Sequence, residues 1–238
     1  FSHSRQRRSE NGATLMAIPL IAISSPQAGA GKTTLAFNLA SALLRDGYRV
    51  GIYSHESSSF LAKRAELCKN NSTLKMPVNI CKEDLLAENY DSCDAVIADI
   101  QTEQNFDLLS AFCKIHTLIT LVQNENDIKW LPSDPYLNLI WSIKKHQASA
   151  GAKYLNWTVL ENKASLDNDA LNNLILSQAR RFGFRAASPL QNRESYKHIK
   201  DGYSAADLIC SKTLSMSMED VYARRELLVL ADFIWQHK

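Results

Sequence analysis

Ser25-Pro26-Gln27-Ala28-Gly29-Ala30-Gly31-Lys32-Thr33-Thr34 joins an apolar run, Ile18 to Ser24, to an amphipathic one, Lys32 to Asp46. The first run reads as a buried strand. The second reads as a helix with Leu35, Ala36, Leu39, Ala40 and Leu43 on one stripe. Gly47 follows where a left-handed helix cap is expected. A loop of small residues in this position suits an anion. Its backbone N–H groups can turn inward around a phosphate. The helix that follows adds unpaired N–H groups and the positive end of its dipole. Lys32 would neutralise the outer phosphates of a nucleoside triphosphate, and the Thr33 hydroxyl would ligate Mg²⁺. ATP with Mg²⁺ is the expected ligand pair. The strict form of such a loop opens with glycine where this chain has Pro26. The competing reading is a Gly/Ala-rich turn with an incidental Lys-Thr; placement between a strand and an amphipathic helix favours phosphate binding.

Outward from the loop, short apolar runs alternate with helical patterns. Tyr48 to Ser54, Pro77 to Cys81, Cys93 to Asp99, His116 to Gln123, Tyr154 to Glu161 and Phe184 to Ser188 read as strands. Ser57 to Lys69, Asp167 to Phe182 and Ser217 to Gln236 read as helices. The second of these would turn Leu171, Leu174, Ile175, Ala179 and Phe182 inward. Asn126 to Gly151 reads as irregular, then helical around Trp141. This alternation predicts one α/β domain, a mostly parallel central sheet with helices on both faces. Such sheets bind ligands at the carboxyl ends of their strands, where the loop falls. Asp99 ends an apolar strand, the position from which a carboxylate holds the Mg²⁺ shell of a bound nucleotide.

The 238 residues have an ordinary globular composition, 45% apolar and 22% charged. The five cysteines are widely spaced and form no C-x-x-C pair, so neither a zinc site nor a disulfide framework is expected. No apolar run approaches the roughly 18 residues needed to span a bilayer, and a cytoplasmic protein is expected. Residues 1–15 are polar and hold three arginines against one glutamate. They read as a disordered extension or as translated sequence upstream of the true start, with Met16 just before the first strand; a short basic arm is the alternative. The 16–238 remainder carries 24 basic and 24 acidic residues. Nucleic-acid attraction would therefore need a local patch.

The loop resembles the deviant phosphate loop of the ParA/MinD ATPases, Lys-Gly-Gly-x-Gly-Lys-Thr. Within that superfamily the chain is most similar to the MipZ family, from about Pro19 to Phe233. Trp141, Lys145, Gln147, Ala148 and Gly151 match one MipZ segment, and Trp157-Thr158-Val159-Leu160-Glu161-Asn162 resembles one of its strands. Gly183-Phe184-Arg185, then Arg193, Tyr196, Gly202, Asp207 and Leu208, and finally Ala223-Arg224-Arg225-Glu226-Leu227 continue the likeness. The resemblance implies a P-loop fold and a dynamic ATPase that forms a nucleotide sandwich dimer with ATP. It implies association with chromosomal DNA, with a ParB-like protein and with FtsZ. It also implies that Gln27, Gly29, Ala30, Gly31, Lys32, Thr33 and Thr34 surround the phosphates. Asn162 would face the adenine, with Arg193 in the neighbouring loop. Glu56, 24 residues after Lys32, stands at the family's hydrolytic aspartate and would orient the attacking water beside Lys32.

Four departures from the family pattern bear on turnover. Gln27 replaces the signature lysine that reaches the partner subunit's phosphates, and Ala28 replaces a glycine. Ser54 stands where the family has an aspartate, and Ile100-Gln101-Thr102 replaces Thr-Pro-Gly. The resulting expectation is an ATP binder with slow or absent hydrolysis. A pseudo-ATPase scaffold and a P-loop metabolic enzyme with a small-molecule co-substrate are the rival classes. Arg180, Arg181 and Arg185 form part of a basic stretch that is either a solvated face or a non-specific DNA surface. The terminal helix is expected to dock on the core rather than target a membrane. His55 reads as a surface histidine beside Glu56.

Overall fold

The computed structural model describes residues 19–54, 59–87, 90–100, 115–149, 155–165, 169–207 and 217–235. The chain runs β1 (Leu20–Ser24), α1 (Lys32–Arg45), β2 (Val50–Ser54), α2 (Ser59–Asn70), β3 (Val78–Asn79), α3 (Lys82–Ala87) and β4 (Ala95–Asp99). It continues through β5 (Ile115–Val122), α4 (Glu125–Trp130), α5 (Asp134–Ser149), β6 (Asn156–Ala164), α6 (Ala170–Phe182), β7 (Arg185–Ala186) and β8 (Leu190–Gln191). A 3-10 helix (Glu194–Asp201) and α7 (Met218–Trp235) complete it.

The sheet order is β3-β2-β4-β1-β5-β6-β7, with β8 paired to β6. Every strand pairing among the described residues is parallel. The predicted α/β architecture is therefore the one observed. Side chains along β1 explain why the sheet needs a helical layer on each face. Ile21 and Ile23 enter one core cluster with Leu35, Leu39 and Leu43 of α1 and Leu227 and Leu230 of α7. Leu20 and Ala22 enter the other, with Ile140 and Ile143 of α5 and Ile175 of α6. Successive residues of a strand point to opposite faces, so an all-apolar strand must be covered twice.

The local signals act as expected in several places. Gly47 sits at φ 96°, beyond the end of α1. Leu171 and Ile175 of α6 are buried, and Leu174, Ala179 and Phe182 pack against them half-buried. The terminal helix docks by Ala223, Leu227, Leu230, Ala231 and Ile234. No described helix is long and apolar enough to cross a membrane.

The structure differs from expectation between Asn126 and Gly151. The stretch read as irregular holds α4 and the start of α5. Asn124 caps α4, its side chain accepting from the N–H groups of Asn126 at 2.9 Å and Asp127 at 3.1 Å. Pro135 lies in the first turn of α5, where a missing N–H costs nothing. Two helices separated by a tight turn blur a single period, which hid α4 and the start of α5; the helix expected around Trp141 is α5. Edge strands are shorter than their apolar runs: β3 and β7 have two residues each. Short edges limit strand-to-strand association.

Candidate functional site

β1, β2 and β4 end side by side, with Ser54 of β2 and Ile23 of β1 both in register with Asp99 of β4. The loop after β1 therefore opens over a carboxylate and a hydroxyl supplied by its neighbours. Asp99 is 4% exposed. Its Oδ2 accepts from the Thr33 hydroxyl and, at 3.3 Å, from the Ser54 hydroxyl. Thr33 and Asp99 are thus brought together as predicted neighbours. They offer one hydroxyl and one carboxylate oxygen, both hard donors. Mg²⁺ keeps several waters and commonly takes only one or two protein ligands beside phosphate oxygens, so this pair fits it as a companion of a nucleotide. Among the described residues no cluster of three or more His, Cys, Asp or Glu forms a separate metal site.

The loop itself is shaped by two glycines. Gly29 has φ 76° and Gly31 φ 90°. A Cβ on Gly31 would lie 2.7 Å from Asn162 Nδ2, so a side chain there would strain the backbone and displace the Asn162 amide. Gly31 is the N-cap of α1; no described side chain caps that end, and no acidic residue lies in its first turn. The N–H groups of the first turn have no intrahelical partner by construction. They remain suited to an anion. Lys32 Nζ donates to Ser25 Oγ at 3.2 Å, and Ser25 Oγ donates to the Gln27 carbonyl at 2.6 Å. This chain of bonds lays the lysine along the loop. Ala30 is buried, Thr34 half-buried, and Gln27 stands exposed on the rim.

A second wall comes from the end of β6. Asn162 Nδ2 donates to the Ala30 carbonyl at 2.6 Å, and Lys163 Nζ to the Gly29 carbonyl at 2.9 Å. Lys163 has φ 60°, the one positive φ of a non-glycine among the described residues. Between this wall and the segment from Leu190 to Lys197 lies a cavity of about 90 Å³ lined also by Gly31, Thr34 and Leu35. Arg193 lines it, but its guanidinium is already engaged. Nε and Nη2 donate to Glu226 at 2.9 and 2.7 Å, and the group lies 5.4 Å from the Tyr222 ring. Burial works against the Arg193 charge, yet Glu226 outweighs it and raises its pKa. Tyr196 donates to Glu226 at 2.9 Å and to the Ala223 carbonyl at 3.0 Å. Burial first, then the Glu226 charge, push its phenol far above the usual range.

Of the predicted residues, Gly31, Thr34, Asn162 and Arg193 line one cavity, and Thr33 and Asp99 meet at the strand ends. Glu56 and His55 lie outside the described residues. The sequence reading missed Lys163 and Glu226. Lys163 had a faint signal, a cation directly after the strand-end Asn162. Glu226 had none, being 33 residues from Arg193. The three arginines of the basic stretch differ in their surroundings. Arg180 and Arg181 are exposed. Arg185 turns inward, 3.9 Å over the Phe233 ring, and donates to the Phe233 carbonyl and to Asn156 Oδ1, all at 3.3 Å. Its guanidinium, half-buried, ties α7 to the sheet.

The family model described as ATPase MipZ matches residues 19–234. Curated protein sequences give no significant match. Among solved structures, an ATP complex of Cyanothece McdA is 13% identical with a TM-score of 0.59, covering 93% of this chain and 98% of that one. The MinD cell division protein of Aquifex aeolicus is 15% identical with a TM-score of 0.57, covering 88% and 96%. Cobyrinic acid a,c-diamide synthase from Mycobacterium smegmatis, with an ATP analogue and magnesium, is 15% identical with a TM-score of 0.55, covering 92% and 96%. At these identities the likeness is one of fold.

Proposed function

This chain belongs to the MipZ ATPase family, and from that premise we propose that it is an ATP-binding switch of bacterial cell division or chromosome partitioning whose hydrolysis is slow. The observation that carries the reading is the juxtaposition of the phosphate loop with Thr33, Ser54 and Asp99 at the ends of three adjacent strands. The loop and the first turn of α1 would bind the phosphates, with Lys32 supplying the cationic contact. Thr33 and Asp99 would hold Mg²⁺, which neutralises phosphate charge when bound. Asn162 spends one of its two Nδ2 N–H groups on the Ala30 carbonyl and keeps Oδ1 as an acceptor. That acceptor matches the exocyclic amine of adenine.

Slow turnover is supported by Gln27 on the loop rim, where the resemblance places the lysine that completes a partner subunit's site. Ser54 supports it too, offering Asp99 a hydroxyl where relatives carry a second carboxylate. Glu56 is the proposed water-orienting residue. An ATP-dependent homodimer, ParB-like and FtsZ-like partners, and DNA contact through Arg180 and Arg181 follow from the family reading. The same two substitutions favour, as a second reading, a scaffold that binds ATP without turnover.

Size analysis with ATP and with ADP, run alongside phosphate release, separates the readings. The switch predicts ATP-dependent dimers and slow release. Binding without dimers or release would establish the scaffold instead. Lys32→Ala should weaken ATP binding by about tenfold or more, the worth of a charge-assisted contact. Unchanged ATP binding in that variant, measured calorimetrically, would sink the site.

A further inference from the structure

One carboxylate outside the phosphate contacts organises the far wall of the cavity. Glu226 lies on α7, and its side chain is 17% exposed. Oε1 accepts from Arg193 Nε at 2.9 Å and Nη2 at 2.7 Å. Oε2 accepts from the Gln191 N–H at 3.2 Å and from the Tyr196 hydroxyl at 2.9 Å. Four donors from three residues converge on it, and all three residues line the cavity.

The opposite wall is held differently. Asn162 and Lys163 are tied to carbonyls of the phosphate loop itself. The cavity is therefore a clamp with two jaws, one anchored to the loop and the other to α7. The α7-anchored jaw is joined to β6 by a short ladder, two paired residues of β8 and the Asn192 N–H donating to the Ala164 carbonyl at 3.1 Å. Arg193 has Glu219 as a more distant carboxylate, at 4.0 Å. Neutralising Glu226 would leave a half-buried guanidinium short of its main counter-charge, and buried donors rarely stay unpaired. The jaw would then move.

We infer that Glu226 is a positioning residue for the nucleoside, fixing the Gln191–Tyr196 jaw at the separation that grips a base. This makes α7 part of the nucleotide site, although it touches no phosphate. The inference rests on the ATP-site reading above and deepens it to a division of labour: the loop binds phosphate, and α7 sets the grip on the base.

The test titrates the full chain, wild type and Glu226→Gln, with ATP·Mg²⁺ and separately with inorganic tripolyphosphate·Mg²⁺, by calorimetry. Glutamine keeps the length but places an N–H₂ group among donors. The expected result is about a tenfold loss of ATP affinity with tripolyphosphate affinity unchanged. Equal ATP affinity in both proteins overturns the inference. So does a parallel loss for both ligands, which is what a purely structural role gives. Should Glu226→Gln fail to fold, Tyr196→Phe decides. It removes one of the four donors and keeps the ring, and about a threefold loss for ATP alone is expected; no loss overturns the inference. If the wild type binds tripolyphosphate but gains nothing from the nucleoside, the base-site reading fails, which is distinguishable from failure of Glu226's role.

Discussion

Lys163 shows how a single residue can be held against its own backbone preference. A left-handed conformation costs an L-residue about 1–2 kcal/mol, and Lys163 adopts φ 60°. Its ammonium meets the Gly29 carbonyl at 2.9 Å, and the next residue, Ala164, is buried and lies in register with Gln191 of β8. The twist lets Asn162 and Lys163 both reach back to the phosphate loop. Replacing Lys163 by Ala and by Gly removes the same tether but treats the backbone differently. Lys163→Gly should therefore be more stable than Lys163→Ala by about 1 kcal/mol, read as a shift of denaturant midpoint at constant slope. An alanine variant as stable as the glycine variant would show that φ carries no strain. Sequence alone made Lys32 legible as a candidate phosphate contact, because a helix start after a small-residue loop suits an anion, whereas Asn162 was singled out by the family resemblance. It could not show Lys163, whose role depends on a loop more than a hundred residues earlier.

At the scale of an element, α7 is the instructive case. Its amphipathic stripe and its docking were readable from periodicity. Its start is set by a reciprocal cap. The Ser217 N–H and hydroxyl both donate to Asp220 Oδ2 at 2.8 Å, and the Asp220 N–H donates to Ser217 Oγ at 3.2 Å. Ser195 Oγ of the 3-10 helix adds a bond to Asp220 Oδ1 at 2.6 Å. Burial alone would raise the Asp220 pKa, but these donors outweigh it and lower it below the usual carboxylate value. The linkage sign follows. A carboxyl depressed in the folded state stabilises the fold above its unfolded pKa, and that stability is lost as pH falls through the folded value. Asp220→Asn should cost about 1 kcal/mol at neutral pH. The gap between variant and parent should narrow as pH falls below the ordinary carboxylate range and through the lowered folded value. Urea melts at neutral and acid pH measure both, and a gap independent of pH would refute the charge argument. The two helices between Glu125 and Ser149 were less legible, since a six-residue helix spans fewer than two turns and shows no usable period.

The whole molecule is ordered so that three strand ends meet under one loop. β4 returns between β1 and β2, which brings Asp99 beside Ser54 and beneath Thr33. Residues 45 and 66 positions apart thereby share one carboxylate. Gln27 is exposed on the loop rim, so the proposed switch would feel its substitution in a dimer rather than in one chain. Where a cation is supplied in trans to phosphoryl transfer it is worth about 10³- to 10⁵-fold in measured GTPases. Gln27→Lys should raise phosphate release by at least about tenfold, and the gain should grow with protein concentration as dimers form. A rate that stays flat with concentration in both proteins would remove the trans-acting explanation for slow turnover.

The sequence by itself determined the parallel α/β fold, the phosphate loop and the carboxylate at the end of β4. These are local in cause: a two-residue period, a 3.6-residue period, and small residues before a helix start leave their marks within a few positions. The tertiary structure alone decided how the walls of the cleft are held. Lys163 is tied to Gly29 across 134 positions, and Glu226 to Arg193 across 33. Arg185 lies half-buried over the Phe233 ring. Such pairings follow from which elements pack together, and a hydrogen bond between distant residues has no periodicity to betray it.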